Sequence, residues 1–379
     1  MEINIMKRLN IAFLLLFIAF TSIQSQTLFR SGVFLHHSTG GCIWGPNGSS
    51  TSVPQQITIY NNVHNYTGQY AVTLNESGWP VTPWDNEWER WHRIFENKDT
   101  VQADIRPILQ NNRIVIIKSC FPSSALIGVG VPGDTAAPTQ KTIYNYKWHW
   151  RHFLNVMKSR PQNYFVIWTN APLVAGATNI NAARWSKQFC RWAKDTLAAG
   201  LDPVFGNFPP NVYVFDFFAK LTDTNGYMLP QYAQSSTDSH PNSAATLLVA
   251  PQFVQEVFDH SIAYEIIFAG ISPVGTEIPN QFSLYQNYPN PFNPTTKIKF
   301  SIPPSKGAGG MTVRLIIYDI LGREVAVLVS EQLKPGTYEV EWDASTYPSG
   351  VYFYKLNIAD ASSPQANPLS ITKKMVLLK

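Results

Sequence analysis

The stretch GVFLHHSTGG, residues 32–41, decides how the first part of the chain folds. An apolar run ends there in a small, Gly-rich polar turn, and Ser38 lies where a buried strand would reach the surface. Reactive groups in open α/β sheets lie outside the carboxyl ends of the strands, because loops there can vary on a rigid scaffold. Ser38 is therefore a candidate nucleophile, although this turn taken alone also suits an ordinary loop.

Further β-rich runs follow this stretch and alternate with long amphipathic segments. The predicted strands are 32–35, 70–74, 113–118, 164–169 and 212–216. Between them, aromatic and aliphatic side chains recur at helical spacing in rows that begin at Trp84, Ile143 and Trp185. Such rows are typical of core-facing helices rather than of sugar-binding platforms. The alternation predicts an α/β domain in which helices cover both faces of a sheet of about five parallel strands.

A second polar loop, STDSHPNS at residues 236–243, lies near the far end of the same domain. A histidine can accept a proton from a serine hydroxyl and return it to a leaving group, while a neighbouring carboxylate fixes the tautomer of the ring. Asp238 and His240 could supply that pair. Asp-x-His alone equally suits a loop turn, but the chain order Ser38, Asp238, His240 makes these residues a candidate triad.

These stretches resemble the SGNH (GDSL-like) hydrolases, in a match of pattern rather than of close sequence. The resemblance covers about residues 26–264 and is carried by HSTG (37–40), KSCFPSS (118–124) and DSHPN (238–242). It implies a flavodoxin-like three-layer α/β/α domain over 26–265. It further implies that Ser38 is the nucleophile, His240 the general base and Asp238 its orienting acid. The backbone N–H of Gly78, after the second strand, would join that of Ser38 as an oxyanion donor.

Three positions depart from the pattern of this family. His36 and His37 precede the serine where the family usually has Gly-Asp, and Asp238 lies two residues before the histidine instead of three. The loop after the third strand lacks the asparagine whose side chain donates to the oxyanion. We expect a hydroxyl to take over that role; the candidates, in order, are Ser119 and Ser123, with Asn170 a weaker one.

Composition and charge exclude several classes of protein. Of the 379 residues, 45% are hydrophobic and 14% charged, which describes a well-packed globular chain. The net charge of +4 is spread without any Lys/Arg block, so no nucleic-acid or lipid-surface partner is expected. His36 and His37 are adjacent on a strand and point to opposite faces, which argues against a shared metal ion. Neither a metal nor a cofactor is expected.

The three cysteines lie far apart in the sequence, without a Cys-x-x-Cys pair. This spacing argues against a structural zinc site and against a disulfide-rich scaffold. Cys42 and Cys120 both follow strands that would be neighbours, so we expect them to lie close together, and whether they form a bridge depends on geometry. Cys190 falls on a predicted helix and should be unpaired.

The N-terminus has the features of a secretory signal. Lys7 and Arg8 precede an apolar run at residues 11–20, and the chain turns polar at 21–26. This run is too short to span a bilayer comfortably, so residues 1–25 are predicted to be a cleaved signal peptide, with an uncleaved anchor as the alternative. Because no second apolar run approaches membrane-spanning length, the mature protein should have no transmembrane helix.

The C-terminal part of the chain follows a different pattern. Helical periodicity stops at about residue 266, and Pro273, Gly275 and Pro279 indicate a linker over 266–282. Residues 283–379 then read as short strands divided by Pro-Gly and Pro-Ser-Gly turns, and the alternation TYEVEW at 337–342 is typical of a half-buried strand. Six or seven such strands predict a small antiparallel β-sandwich.

This region closely resembles the type A C-terminal sorting domain of the type IX secretion system. The motifs that carry the resemblance are NYPNPFNP (287–294), IYDILGRE (317–324), PGTY (335–338) and PSGVY (348–352). The resemblance implies that the secretion machinery moves the protein through the periplasm and across the outer membrane. Removal of the tail, with release or attachment at the cell surface, would follow. An Ig-like binding module is the alternative.

The sequence as a whole predicts a secreted serine esterase that acts on a small-molecule or polysaccharide ester, plausibly an acyl group on a carbohydrate. The alternative is a surface binding protein that keeps the hydrolase-like fold without turnover, since two signatures of the family are altered.

Overall fold

The computed structural model describes residues 28–46, 51–80, 87–99, 103–136, 140–304, 311–360 and 369–379. The predicted signal peptide and Trp84, the first residue of one helical row, lie outside the described residues. Within those ranges, no helix is both long enough and apolar enough to cross a membrane.

A five-stranded parallel sheet forms the centre of the first domain. Its strands are β1 (Ser31–His36), β2 (Thr73–Gly78), β3 (Ile114–Ile117), β4 (Tyr164–Trp168) and β5 (Val212–Phe215), in the order β2-β1-β3-β4-β5. Every side chain of β3 and β4 is buried, as expected for strands covered on both faces. The predicted α/β class is confirmed, and the strand order is the flavodoxin-like one.

Helices cover both faces of the sheet. They are α1 (Thr39–Trp44), α2 (Val53–His64), α3 (Glu87–Phe95), α4 (Arg106–Asn111), α5 (Ile143–Lys158), α6 (Ile180–Arg191), α7 (Phe217–Leu221) and α8 (Ser243–Phe268). One core forms beneath α1, α2 and α8, and a second forms beneath α3, α5 and α6. The row of α5 and the described members of the row of α3 are buried in the second core, so they serve packing.

The second strand begins later than the sequence indicates. Residues 70–74 were predicted, but Tyr70 belongs to a 3₁₀ turn and β2 runs from Thr73 to Gly78. The side chain of Asn61 in α2 binds both backbone groups of Val72, at 3.0 Å and 2.8 Å, and thereby takes them out of the strand ladder. At the other end of the strand, Gly78 is the last residue of β2 and not part of the loop after it.

The C-terminal domain is the expected antiparallel sandwich of two four-stranded sheets. The strands are β6 (Ile271–Pro273), β7 (Ser283–Leu284), β8 (Thr295–Ile302), β9 (Met311–Tyr318), β10 (Glu324–Leu333), β11 (Gly336–Asp343), β12 (Gly350–Asp360) and β13 (Leu369–Leu377). One sheet has the order β10-β9-β12-β13 and the other β6-β11-β8-β7. Side chains of both sheets, such as Trp342 of β11 and Tyr354 of β12, form one core.

The segment predicted as a linker, 266–282, carries regular structure at its start. Helix α8 continues to Phe268, and β6 pairs antiparallel with β11 in the second sheet. Because β6 is only three residues long, its backbone hydrogen bonds depend on its partner strand and leave little local signal in the sequence.

Candidate active site

Ser38 occupies the turn between β1 and α1, at the carboxyl edge of the sheet. It is the N-cap residue of α1, with φ 39° and ψ −94°. A positive φ in this range is unfavourable for a residue with a Cβ, and such strain persists only where the surroundings hold it. The turn therefore presents the Ser38 hydroxyl in a conformation that the neighbouring structure enforces.

The imidazole of His36 packs against this turn. Its ring lies 4.4 Å from that of Phe34, and its Nε2 lies 2.9 Å from Oε2 of Glu76 on the neighbouring strand β2. Gly40 approaches so closely that a Cβ built there would lie 2.5 Å from Cβ and Cγ of His36. The absent side chain of Gly40 is thus a steric requirement of the packing beneath Ser38.

Burial keeps the His36 ring neutral near pH 7. Desolvation by burial is the main cause that lowers the pKa of His36 to about 4, and the positive charge of Lys118 is the second. With the ring neutral, its Nε2–H donates to the Glu76 carboxylate, whereas the pKa of that carboxyl is raised by partial burial. His36 is therefore an uncharged packing and hydrogen-bonding element at near-neutral pH.

His37 is directed to a different neighbour. Its Nε2 binds the carbonyl oxygen of Pro80, and burial lowers its pKa. The two adjacent histidines thus have separate partners, Glu76 and Pro80, in line with their predicted opposite directions. Within the described parts of the chain, no group of three His, Cys, Asp or Glu side chains is arranged to hold a metal ion.

The loop that carries Asp238 and His240 is tied to the start of α8. Asn242 caps this helix, because its side-chain oxygen accepts from the backbone N–H groups of Ala244 and Ala245. The carbonyl of His240 accepts from the backbone N–H of Gln234 at 2.9 Å. These bonds fix the backbone on both sides of the imidazole without burying it.

Ser38, His240 and Asp238 form one hydrogen-bonded chain. Ser38 Oγ binds His240 Nε2, and His240 Nδ1 lies 2.6 Å from Asp238 Oδ1, which also accepts from the backbone N–H of His240 at 3.0 Å. The rings of His240 and Phe121 are nearly perpendicular, with centroids 4.9 Å apart. Donation from the backbone and side chain of His240 lowers the pKa of Asp238. An ionised Asp238 favours the tautomer in which Nδ1 carries the proton and Nε2 can accept one.

The four oxyanion candidates lie in different surroundings. Gly78 pairs with His36 in the sheet register and has open space where a Cβ would be. Ser119 is partly exposed at the end of β3, whereas the hydroxyl of Ser123 is buried in a 3₁₀ turn, away from solvent. The side-chain amide of Asn170 donates to Ser186 at 2.9 Å. Gly78 and Ser119 are thus the candidates with an open approach.

Lys118 is a buried cation at this edge that the sequence did not single out. Its side chain is 1% exposed, and its Nζ donates to the carbonyl oxygen of Ser119 at 2.9 Å. The register of β1 with β3 pairs Leu35 with Ile117, so Lys118 follows directly beside His36. The only sequence signal for this residue was a charge at the end of an otherwise apolar strand.

None of the three cysteines forms a disulfide. Burial raises the pKa of Cys42, and the nearby Cys120 contributes to this shift, so the two cysteines lie close together. Cys190 is buried in α6. No bridge forms between the first two cysteines.

Several solved structures are distantly similar to the chain. A gut microbial diltiazem-metabolizing enzyme is 12% identical, with 84% of this chain and 70% of that chain covered and a TM-score of 0.34. Phospholipase PlaB from Legionella pneumophila, in complex with thio-NAD, is 11% identical, with 90% and 89% covered and a TM-score of 0.26. The endo-beta-1,4-mannanase from Thermotoga petrophila is 11% identical, with 86% and 61% covered and a TM-score of 0.20. These likenesses carry no argument about function, and no curated protein sequence matches the chain.

The C-terminal domain does match a known family. Residues 286–367 match the family described as "Secretion system C-terminal sorting domain". The match includes all four motifs that carried the resemblance in the sequence, together with β8 to β12. These residues are therefore a secretion-system sorting domain, and the protein is exported by type IX secretion to the cell surface or the medium.

Proposed function

We propose that the first domain is a serine hydrolase of SGNH type that cleaves ester bonds, with Ser38 as nucleophile, His240 as general base and Asp238 as the acid that orients the ring. The observation that carries this proposal is the hydrogen-bonded chain from Ser38 Oγ through both ring nitrogens of His240 to the Asp238 carboxylate. Nucleophile, base and orienting group within hydrogen-bond reach are the arrangement that acyl transfer requires.

In the first half of the reaction, Ser38 Oγ attacks the carbonyl carbon of the ester while His240 Nε2 takes the hydroxyl proton. The negative charge moves to the carbonyl oxygen, where the backbone N–H groups of Ser38 and Gly78 and the hydroxyl of Ser119 are the proposed donors. Collapse of this intermediate breaks the bond to the alcohol, which leaves with the proton from His240. An acyl group remains on Ser38.

In the second half, His240 removes a proton from water, which attacks the acyl carbon. Collapse releases the carboxylic acid and returns the proton to Ser38. Asp238 stays ionised throughout and stabilises the imidazolium that forms twice in each cycle. The partial exposure of His240 and Asp238 leaves the site accessible to water and to a bulky alcohol, which suits an acylated carbohydrate as substrate.

The test is hydrolysis of p-nitrophenyl acetate by the exported protein and by Ser38→Ala. We expect kcat/KM to fall by about 10⁴-fold or more, because members of a triad act as a unit. His240→Ala should lose nearly as much, and the double variant should be little worse than either single variant. The free energy of unfolding should change by less than about 1 kcal/mol in Ser38→Ala, since the side chain lies at the mouth of the sheet.

Ser159→Ala, at the exposed end of α5, is the matched control and should keep full activity. Wild-type protein without turnover on a panel of short aryl esters would favour the non-catalytic binding protein. Full activity in Ser38→Ala would remove Ser38 from the mechanism.

A further inference from the structure

A cationic cleft lies between α5 and α6, on the face of the sheet opposite α8. It has a volume of about 410 Å³. Lys147 of α5 and Arg184, Lys187 and Arg191 of α6 line it, whereas Asp195 is its one acidic lining residue among the described residues. A cavity of this size lies within the range of about 300–1,000 Å³ that is usual for ligand sites.

The cations of this cleft are poorly neutralised by the protein. Arg184 donates to the side-chain oxygen of Asn225, and Lys187 donates to the carbonyl oxygen of Thr224, so both of these partners are uncharged. Arg191 faces Asp195 at 3.6 Å, and both side chains are largely exposed. A solvent-exposed pair of this kind contributes little, so the lining keeps a clear excess of positive charge.

Trp192 lies at the floor of the cleft, beneath two cations. Nζ of Lys147 lies 5.0 Å from the ring centroid of Trp192, and the guanidinium of Arg151 lies 5.2 Å from the same centroid. Arg151 is paired with the buried carboxylate of Asp202, which also accepts from the indole N–H. Trp192 is therefore covered by cations and held in place, and its face is closed to a stacked sugar or base.

The cations of α6 form a row. Arg184, Lys187 and Arg191 occupy positions i, i+3 and i+7, which share one helix face and span about 10 Å along the axis. Guanidinium groups match carboxylates in a bidentate geometry. Gln188 and Thr196, which also line the cleft, offer neutral groups that bind hydroxyls. Such a row suits a chain with repeated negative charges and hydroxyl groups between them.

We propose that this cleft binds an acidic polysaccharide, a chain of sugars that carry carboxylates. Two other polyanions fit less well. Single-stranded nucleic acid needs exposed aromatic rings on which bases stack, and Trp192 is 7% exposed. An anionic membrane surface is bound through apolar side chains as well as charge, and the described lining has no exposed apolar side chain. The protein is also exported, so its ligand lies outside the cell.

The test is affinity electrophoresis of the exported protein in native gels that contain sodium polygalacturonate, with dextran as the neutral polymer. We expect retardation by polygalacturonate alone, and weaker retardation as salt is raised, because screening shortens the range of exposed charges. The triple variant Arg184→Gln, Lys187→Gln, Arg191→Gln should lose at least tenfold in apparent affinity. Ser38→Ala should bind like the wild type, so the inference stands or falls independently of the proposed catalysis.

The matched control is Lys98→Gln, Arg106→Gln, Lys158→Gln, which removes the same charge from exposed positions outside the cleft and should stay within twofold of wild type. Equal losses in both triple variants would overturn the site, since net charge alone would then explain binding. Equal retardation by polygalacturonate and dextran would also overturn it. Tighter binding to a single-stranded oligonucleotide or to phosphatidylglycerol vesicles, lost in the cleft variant, would overturn the assignment to a polysaccharide.

Discussion

The turn that carries Ser38 rests on buried side chains, whereas the loop that carries Asp238 and His240 is held near the surface by hydrogen bonds. Thr39 is buried next to Ser38, and His36 is 5% exposed beneath the turn. Asp238 is instead exposed, and its backbone N–H is fixed by the hydroxyl of Ser235 at 3.0 Å. Packing thus determines where the proposed nucleophile lies, and local polar contacts determine where its base lies. Changes on the two sides should therefore have different consequences.

Asp238→Asn tests the surface loop and should lower the rate more than any change in the packed turn described below. An amide can donate to Nδ1 of His240, which moves the ring proton to Nε2 and leaves no acceptor for the Ser38 hydroxyl. We expect kcat to fall by about 10²- to 10⁴-fold with little change in stability, because Asp238 lies outside the core. Steady-state kinetics on an aryl ester and urea unfolding measure both quantities.

Asp104→Asn is the control for the loss of a carboxylate and should retain activity, because Asp104 is exposed and likewise accepts from the backbone N–H two residues on, that of Arg106, at 2.9 Å. Near-normal turnover in Asp238→Asn would show that another acid, or none, orients His240. A large loss of stability in Asp238→Asn would contradict the view that only local hydrogen bonds hold this loop in place.

Gly40→Ala tests the packed turn that carries Ser38. The added methyl group would lie 2.5 Å from two carbons of His36, so the turn or the ring must move. Overpacking of this kind costs typically about 1–3 kcal/mol of stability, and a misplacement of about 1 Å at a reacting group costs on the order of 10²-fold in rate. We expect both losses together, in contrast to Asp238→Asn.

Gly41→Ala is the matched control for Gly40→Ala. Its Cβ would lie 3.6 Å from Cε1 of His36, which is an ordinary contact. It should therefore keep most of the activity and stability. If Gly40→Ala behaved like Gly41→Ala, the His36 ring would not be part of the support of the Ser38 turn.

The sequence was most informative where a feature depends on neighbouring residues. Apolar runs predicted four of the five strands of the parallel sheet within one or two residues, and Ser38 and the Asp238–His240 loop were singled out from their local motifs. The start of β2 was misjudged because Asn61, on another element, binds the backbone of Val72. A contact of that kind leaves no periodic signal.

Several features that join distant segments were not predicted. The His36–Glu76 contact depends on the pairing of β1 with β2, and the cationic cleft assembles charges from two helices that show no block of Lys or Arg in the sequence. Ser123 was a reasonable oxyanion candidate from its motif, but the 3₁₀ turn over Phe121–Ser124 buries its hydroxyl. Local patterns do not specify such orientations.

The smallest expected effect concerns the pH dependence of stability, to which the buried His36 ring beneath the Ser38 turn should contribute. The pKa of His36 falls from 6.5 to about 4 on folding, so between these values the unfolded chain binds a proton that the folded chain does not. The stability that depends on a neutral His36 is therefore fully present above about pH 6.5 and is lost as the pH falls toward 4.

At pH 5 this linkage amounts to about 2 kcal/mol, from 1.36 kcal/mol for each unit of pKa shift. His36→Asn removes the titrating ring, so its unfolding free energy should fall by about 2 kcal/mol less than that of the wild type between pH 7.5 and 5.0. Urea unfolding at the two pH values measures the difference. Glu76→Gln keeps the buried ring and should keep the acid sensitivity of the wild type. Identical pH dependence in His36→Asn and wild type would mean that the His36 ring is hydrated well enough to be protonated in the folded protein. The packed turn that carries Ser38 and the surface loop that carries His240 would then not differ in their electrostatics.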